Sequence, residues 1–275
     1  MKMKTAVFTD KMILVRGGGD LATGVIHKLH QSGYQILILE CDRPSAIRRH
    51  VAFCEAVYDG TAEVEGVVCR RVTEDDIRTQ CRKCWAQGEI PLLTDTDGKY
   101  IRELEPEAVI DAILAKKNLG TRISDAPLVI GIGPGFTAAG DCHFVIETQR
   151  GEHLGEVIRE GSAIPNNGIP GNIGGYTVER LLKASADGIM HPVARIGDVV
   201  KKGQIVARCG DEPVYARLHG IVRGMLQEGV PVKKGLKIGD VDARIEEKLC
   251  YTISDKARKI GNGVAEAIDL VYKTK

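Results

Sequence analysis

Three short constellations in this chain hold residue types that could do chemistry. The first is Gly17-Gly18-Gly19-Asp20-Leu21-Ala22, a G-x-G-x-x-A spacing. In a dinucleotide site the first Gly of that pattern makes a tight turn and the second lets a pyrophosphate approach the backbone. The third, small residue packs a helix on a strand. Glu40 stands 23 residues after Gly17, at the end of the next apolar run, where an acid that binds a ribose is expected. Glu40 would favour NAD, and nearby Arg43 keeps NADP open. Asp20 puts a carboxylate where a phosphate would otherwise meet the helix N-terminus. It can cap the helix, worth about 1 kcal/mol, and it would repel a pyrophosphate. Nucleotide binding, a structural glycine turn and binding of some other anion are all compatible with the loop.

The second constellation is Asp141-Cys142-His143. A thiol beside an imidazole and a loop can become a reactive thiolate, for catalysis or for handling selenium. A packing explanation competes with this one and is the stronger. Adjacent strand residues point to opposite faces, so Cys142 shares a face with Phe144 and Ile146, and His143 lies with Val145 and Glu147. These three residues are the candidates for catalysis; no catalytic residue is assigned. The third constellation is glycine-rich. Gly131, Gly133 and Gly135 follow an apolar strand, Leu128–Ile132, at a strand-to-loop junction. Asn167 and Gly168 lie in the loop Pro165–Gly175 (PNNGIPGNIGG), whose accessible amides could form an anion-binding nest. With the first loop, these make the predicted cofactor set: Gly17, Gly18, Gly19, Asp20, Glu40, Gly131, Gly133, Gly135, Asn167 and Gly168.

Other reactive residues read as packing. Cys81 and Cys84 form a lone C-x-x-C, and with Ile77 and Trp85 they make a helical core stripe. No second pair completes a zinc site, and no metal site is predicted. His27 and His30 lie three apart on the first helix, and His191 and His219 fall at non-equivalent places. There is no G-x-S-x-G elbow, P-loop or H-E-x-x-H motif.

The elements that position these residues alternate. Met12–Arg16 is a strand, Leu21 to about Gln31 a helix stopped by Gly33, and Tyr34–Glu40 a strand covered on both faces. Thr73 to Asp76 opens a helix with an acidic first turn. Ile90–Leu93 is a strand, Pro106 to Lys116 a helix, and Leu128–Ile132 and Phe144–Thr148 are strands. Thr177–Ala184 is a helix, and Ser254 caps one running to about Tyr272. Alternation of this kind predicts an α/β fold: a Rossmann-like parallel-sheet domain, a Gly-rich central segment, and a small β module with a C-terminal helix. The expected boundaries are 1–125 for the α/β domain, 126–184 for the Gly-rich continuation, 185–245 for the β module, and 246–275 for a helix packing back on the α/β region.

Composition sets the outer bounds. The chain has 275 residues, 38 Lys and Arg against 37 Asp and Glu, and 32 Gly. A net charge of +1 makes no electrostatic case for nucleic acid or an anionic membrane as partner. No apolar run reaches transmembrane length. Met1 to Val15 reads as the lead-in to a strand, not a signal peptide. Eight scattered Cys do not resemble a disulfide framework, so a cytoplasmic location is expected. Eleven of the glycines crowd into residues 126–175, where order costs the most backbone entropy.

A repeat occupies the third zone. Gly188-Ile189, Gly197 and Val199-Val200-Lys201-Lys202-Gly203 recur at an offset of 32 as Gly220-Ile221, Gly229 and Pro231-Val232-Lys233-Lys234-Gly235. Each unit is too small to bury a face alone, so the two must pack together in a pseudo-twofold β structure. The repeat resembles biotinyl and lipoyl domains, which are barrel-sandwich hybrids. Those carriers modify a Lys between the halves, whereas Ala207–Arg217 (ARCGDEPVYAR) contains none, so a structural or docking role is expected instead.

Nearly the whole chain resembles the YqeB-type accessory proteins of selenium-dependent molybdenum hydroxylases. The resemblance rests on Arg16–Gly24 (RGGGDLATG), Ala46–Arg49 (AIRR), Ile132–Phe136 (IGPGF) and Gly140–His143 (GDCH). It continues through Ile169–Gly171 (IPG), Gly174–Arg180 (GGYTVER) and Ser254–Arg258 (SDKAR). The first loop separately resembles the Rossmann segment of sirohaem-type dehydrogenases. The family resemblance implies an accessory protein that helps mature molybdenum hydroxylases, binding NAD(P), another nucleotide or a molybdopterin-type cofactor. Its partners would be a hydroxylase client or other maturation proteins, and a homo-oligomer is left open. An NAD(P)-dependent oxidoreductase and a non-catalytic docking scaffold are the two alternatives.

Overall fold

Met12–Arg16 (MILVR) and Gln35–Glu40 (QILILE) are apolar on both faces, so each strand needs cover on both. A computed structural model, which describes residues 11–272, supplies that cover within the first of two compact units. This unit takes in the described chain up to Pro44, Phe53–Asn166, and the chain from Ile253 onward. Positions 1–10 of the expected lead-in lie outside the described residues.

In chain order the unit contains β1 (Met12–Arg16), α1 (Asp20–Gln31), β2 (Gln35–Glu40), α2 (Ala56–Asp59), β3 (Thr61–Val64), β4 (Val67–Val72), α3 (Ile77–Ala86) and β5 (Ile90–Thr94). It goes on through α4 (Lys99–Leu104), β6 (Ala108–Asp111), β7 (Leu128–Ile132), β8 (Thr137–Ala138), β9 (Phe144–Ile146), β10 (Val157–Ile158) and β11 (Gly161–Ser162). Nine of these strands form one sheet in the order β10-β9-β7-β6-β1-β2-β5-β4-β3. Strands β4, β5, β2, β1, β6, β7 and β9 run parallel, and the two edge strands pair antiparallel. The chain moves from β1 to β2 in one direction and returns to β6 on the other side. The order therefore reverses at β1. In open α/β sheets ligands bind outside the carboxyl ends of the strands at such a reversal.

One sheet face is sealed by α3 and α4, through a cluster that includes Leu14, Leu37, Leu93, Val109, Cys81, Cys84 and Ile101. Cys81 and Cys84 are buried packing residues, as their spacing indicates. Strand alternation sends Ile13, Val15, Ile38 and Ile110 to the opposite face.

Two expected helices are strands instead. Pro106, which suits a first helical position, predicts a helix through Lys116. The buried Ala108-Val109-Ile110-Asp111 pairs in register with both β1 and β7, filling the position beside β1. Its Val-Ile pair suits a pleated, doubly buried site, and tertiary burial overrides the local preference. Thr177–Ala184 is likewise not a helix: it turns at Thr177–Arg180, where the Leu181 amide donates to the Val178 carbonyl at 3.2 Å, and then runs extended. Its Leu181–Lys183 forms β12, which pairs antiparallel with a later strand, Lys237–Asp242.

That pairing belongs to the second unit, Ser45–Ala52 with Asn167–Thr252. After β12 come β13 (Gly188–Pro192), β14 (Val199–Val200), β15 (Ile205–Cys209), β16 (Glu212–Tyr215), β17 (Gly220–Met225), β18 (Pro231–Val232), β19 (Lys237–Asp242) and α5 (Lys248–Tyr251). Two four-stranded sheets result, β12-β19-β17-β14 and β16-β15-β13-β18. The 32-residue repeat is visible in the register. Gly188 pairs with Val232, and Gly220, 32 positions later, pairs with Val200, 32 positions before Val232. Met190 pairs with Cys209 as Val222 pairs with Val241, at the same offset. Each half therefore lends its short strand to the other. The shared core holds Met190, Val200, Val206, Ile221, Val232 and Ile238. Ser45–Ala52 joins this unit through Arg49, whose Nε donates to the Met225 carbonyl at 2.9 Å. Arg48 Nη2 donates to the Leu249 and Thr252 carbonyls at 3.0 and 2.9 Å.

The chain ends its described course in α6 (Asp255–Tyr272), which returns to the first unit and lies on α1. Ser254 caps it, its Oγ accepting from the Ala257 amide at 3.2 Å. The helices approach closely because glycines face each other's backbone. A Cβ on Gly24 would lie 2.6 Å from that of Ala257, and one on Gly261 would lie 2.7 Å from the Gly24 carbonyl oxygen. Replacing Gly24 with Ala should destabilise the protein by about 1–3 kcal/mol. That overpacking outweighs the helix-propensity gain of at most about 1 kcal/mol. Urea unfolding of Gly24→Ala against the parent measures the difference, and an unchanged or raised midpoint would refute this account of the helix contact.

Candidate functional site

The β1–α1 turn is built by four separate segments. Gly17 adopts φ +93°, a left-handed conformation that favours glycine, and a Cβ there would lie 2.9 Å from the Ala112 carbonyl oxygen after β6. The Gly18 amide donates to Glu40 Oε2 at 2.7 Å, and the Cys41 amide donates to Glu40 Oε1 at 2.8 Å. The Gly18 carbonyl accepts from the Cys54 amide at 2.9 Å and from the Thr23 hydroxyl at 3.2 Å. Thr23 Oγ1 in turn accepts from the Phe53 amide at 3.0 Å. Glu40, expected as a ribose ligand, thus anchors the turn itself. Each of its oxygens keeps a lone pair for a further donor.

The glycines differ in what surrounds them. A Cβ on Gly18 would meet the Cys54 amide nitrogen at 3.0 Å; one on Gly131 would enter the Phe136 ring at 2.4 Å. On Gly133 it would strike the Thr148 hydroxyl at 2.8 Å, and on Gly135 the Lys117 backbone at 2.6 Å. The close approach these four allow is to the protein's own chain. Gly19 differs from them: its φ is −65°, open to any residue, and no described atom lies within 4 Å of a Cβ placed there. Neither backbone strain nor packing requires glycine at position 19. Ala22, the small residue that follows, is fully buried between helix and sheet.

These contacts also line up the loops at the carboxyl edge. Gly17 meets Ala112–Ile113, Gly135 meets Lys116–Lys117, and Gly133 meets Thr148. The buried Glu147 carboxylate fixes the loop after β9 by accepting from the Thr148, Gln149 and Ile164 amides at 2.7, 2.7 and 2.8 Å. Below the edge, Arg16 Nη1 donates to Thr121 Oγ1 at 2.5 Å and lies 3.4 Å from Asp111 Oδ2, which accepts from the Thr121 hydroxyl at 2.6 Å. Burial raises the Asp111 carboxyl above its ordinary range, against the pull of the Thr121 hydroxyl and Arg16. Sequence spacing assigns no role to Arg16 or Thr23 beyond their place in the Arg16–Gly24 block, and does not single out Asp111 at the end of its strand.

Asp141, Cys142 and His143 each have a backbone partner. Asp141 Oδ2 accepts from the Thr137 amide at 2.8 Å, His143 Nδ1 accepts from the Val129 amide at 2.9 Å, and the Cys142 thiol lies 3.9 Å from the Thr137 carbonyl oxygen. Burial pushes the Cys142 thiol up to about 11 and lowers the His143 imidazole. Cys142 packs in the core cluster with Phe136, Ala138 and Val145, and so shares a face with Val145 rather than with Phe144 and Ile146, while His143 Nδ1 is engaged by the Val129 amide. Asn167 and Gly168 belong to the second unit, where Asn167 Oδ1 accepts from the Ile169 amide at 2.9 Å and Gly168 turns at φ +73°. Among the described residues no group of three or more His, Cys, Asp or Glu could hold a metal ion. No helix among them is long and apolar enough to cross a membrane.

The architecture defines a class: a mixed α/β protein built on a nine-stranded, largely parallel sheet, with glycine loops at its carboxyl edge. Over 258 residues, 94% of its length, the chain is 46% identical to the uncharacterized protein YqeB of Escherichia coli strain K12. The chain spans about half (47%) of the length of that relative. No protein-family model matches. Among solved structures, an aspartoacylase family protein of Mesorhizobium loti is 9% identical, with a TM-score of 0.24 and 84% of each chain covered. The ectoine utilization protein EutE (DoeB) of Ruegeria pomeroyi, in its apo structure, is 10% identical, with a TM-score of 0.24 and coverage of 84% of this chain and 85% of that one. Likenesses at that level carry no argument about fold or function.

Two measurements test this geometry. Glu40→Gln leaves one side-chain acceptor where two amides need one each, so it should cost about 1–3 kcal/mol in urea unfolding without any ligand; an unchanged midpoint would show that the staple is not formed. Burial also raises the Cys41 and Cys142 thiols to about 11 and the Cys81 thiol to about 12. At pH 8 these three thiols hold roughly two or more orders of magnitude less thiolate than a free cysteine near pKa 8.5. Site-resolved alkylation of the native protein should leave them intact, while the unfolded chain reacts at all eight cysteines. Fast native labelling of Cys142 would favour its catalytic reading over packing.

Proposed function

We propose that the chain binds a phosphate-bearing small molecule, a nucleotide or a pterin cofactor, at the carboxyl edge of its sheet. It would do so as an accessory factor in the maturation of selenium-dependent molybdenum hydroxylases. The observation that carries the binding half is Gly19. It sits where the sheet order reverses, at the N-terminus of the twelve-residue helix α1, with open space in place of a side chain and an ordinary φ. Gly19 is the N-cap of α1, where glycine is a favoured residue, and its bare backbone also leaves room for a ligand to approach from outside the chain. Gly17 and Ala22 occupy the turn and the helix contact that a dinucleotide site needs, and Glu40 has acceptor capacity left for a ribose hydroxyl. A nicotinamide dinucleotide held there would supply hydride transfer; the chain's own residues would bind and orient it. The sequence blocks from Arg16 to Arg258, with the resemblance they carry, support the maturation half.

The test is Gly19→Val. The variant should fold with its unliganded stability lowered by no more than about 2 kcal/mol, because Gly19 is the N-cap of α1 and valine caps poorly. In the parent, one of NAD+, NADP+, ADP or dihydroneopterin monophosphate should raise the melting temperature, by about 2.7 kcal/mol of stabilisation at 100 times Kd. Gly19→Val should lose that rise. If none of the four shifts the parent, the binding half fails. Full selenium-dependent hydroxylase activity in a strain lacking the gene would overturn the maturation half.

A further inference from the structure

The amino ends of the parallel strands, opposite the glycine loops, hold an opening that the nucleotide reading does not use. Strand β1 begins at Met12 and β2 at Gln35. A cavity of about 530 Å³ lies there, framed by α3 and by the turn from α4 to β6. It falls within the range of about 300–1,000 Å³ typical of small-molecule sites. A neighbouring hollow of about 420 Å³ shares Gln35, Arg82 and Trp85 with it. In the framing turn Glu105 takes φ +50°, a costly conformation for a residue with a Cβ, and the Glu107 amide donates to the Met12 carbonyl at 3.1 Å. On α3, Ile77, Cys81 and Cys84 pack into the core. Arg78, Arg82 and Trp85 recur beside them at i, i+4 and i+7 and line the cavity. Trp85, the one tryptophan of the chain, is half-buried, and its Nε1 donates to the Ile36 carbonyl of β2 at 2.9 Å. That bond holds one edge of the indole against the sheet.

We infer that this cavity binds a planar aromatic monocarboxylate, with the ring against Trp85 and the carboxylate on the Arg82 guanidinium. Each part of that class answers to a feature of the lining. A held indole, with Met12 and Leu104 in the same lining, offers the apolar surface that a flat ring covers. Most of the charged groups are already engaged. Lys11 Nζ pairs with Glu107 Oε2 at 2.9 Å, and Arg78 Nη2 donates to the Glu103 carbonyl at 2.9 Å. The Arg82 guanidinium has no partner among the described residues, and neither has the Gln35 carboxamide beside it in the lining. A guanidinium fork meets a carboxylate through two parallel bonds. Lys11, Arg78 and Arg82 face Glu105 and Glu107, so the lining carries one net positive charge. That balance suits a single negative charge and disfavours a polyphosphate. Glu89, in the neighbouring hollow, is already held by Arg70 at 2.5 and 2.6 Å. The site lies at the other ends of the strands that carry the glycine loops, so it stands whether or not a nucleotide binds there.

Because the chain has one tryptophan, its emission reports on this cavity directly. Benzoate and nicotinate, titrated into the full chain at millimolar concentrations, should change the Trp85 emission saturably, and calorimetry should return the same Kd. Benzamide, which lacks the charge, should bind about tenfold or more weakly. Cyclohexanecarboxylate, which lacks the flat ring, should bind severalfold more weakly. Arg82→Gln should weaken benzoate binding about tenfold or more, and Arg82→Lys should recover part of the loss. Both variants should melt close to the parent, because Arg82 is exposed. Lys83→Gln, one position on and off the lining stripe, should bind as the parent does. The site is overturned if neither acid gives a saturable response, or if Arg82→Gln binds benzoate as tightly as the parent. Equal binding of benzamide or cyclohexanecarboxylate overturns the ligand class, and so does tighter binding of the dianion phthalate than of benzoate.

Discussion

The two bonds from the Glu40 carboxylate to the Gly18 and Cys41 amides hold the part of the first unit on which its edge depends. Charge-assisted bonds to backbone amides are about twice as strong as neutral ones. These join the turn after β1 to the end of β2. Thr23 and Cys54 close the turn from the other side through the Gly18 carbonyl. With Gly18 held by three partners, the direction of α1 follows and so does the exposure of Gly19. An acid placed where a ribose ligand was expected is thus first a structural group.

Glycine abundance in this unit has two physical causes that composition cannot separate. At Gly17 the backbone turns through a left-handed conformation. At Gly24 and Gly261 the missing side chains let α1 and α6 pack with little more than backbone between them. The second cause reaches furthest. It draws the last described helix onto the first one, so residues more than two hundred positions apart share one edge of the sheet.

The second unit follows a different logic. Its two 32-residue halves exchange short strands, β14 pairing with β17 and β18 with β13, so neither half completes a sheet alone. Mutual completion of that kind is expected whenever each repeat is too small to bury its own apolar face. The Arg48 and Arg49 side chains, from a segment far earlier in the chain, bond carbonyls of the same unit. A block such as Ala46–Arg49 can therefore reflect packing as readily as chemistry.

Local pattern was enough for the strands that are apolar throughout, for the amphipathic α1, α3 and α6, for the Ser254 cap and for the 32-residue repeat. In each of these the periodicity of burial is written into consecutive residues. It was not enough for Ala108–Asp111 or Leu181–Lys183, whose extended form comes from ladder partners distant in sequence. The candidate site divides in the same way. The turn at Gly17–Ala22 was legible, because tight turns and helix starts depend on a few adjacent residue types. Which glycines face the protein's own chain, that Glu40 is a staple, and that Ala257 of α6 meets Gly24 of α1 were decided by tertiary structure alone. Each is a contact between residues with no fixed spacing, and spacing is all that a sequence displays.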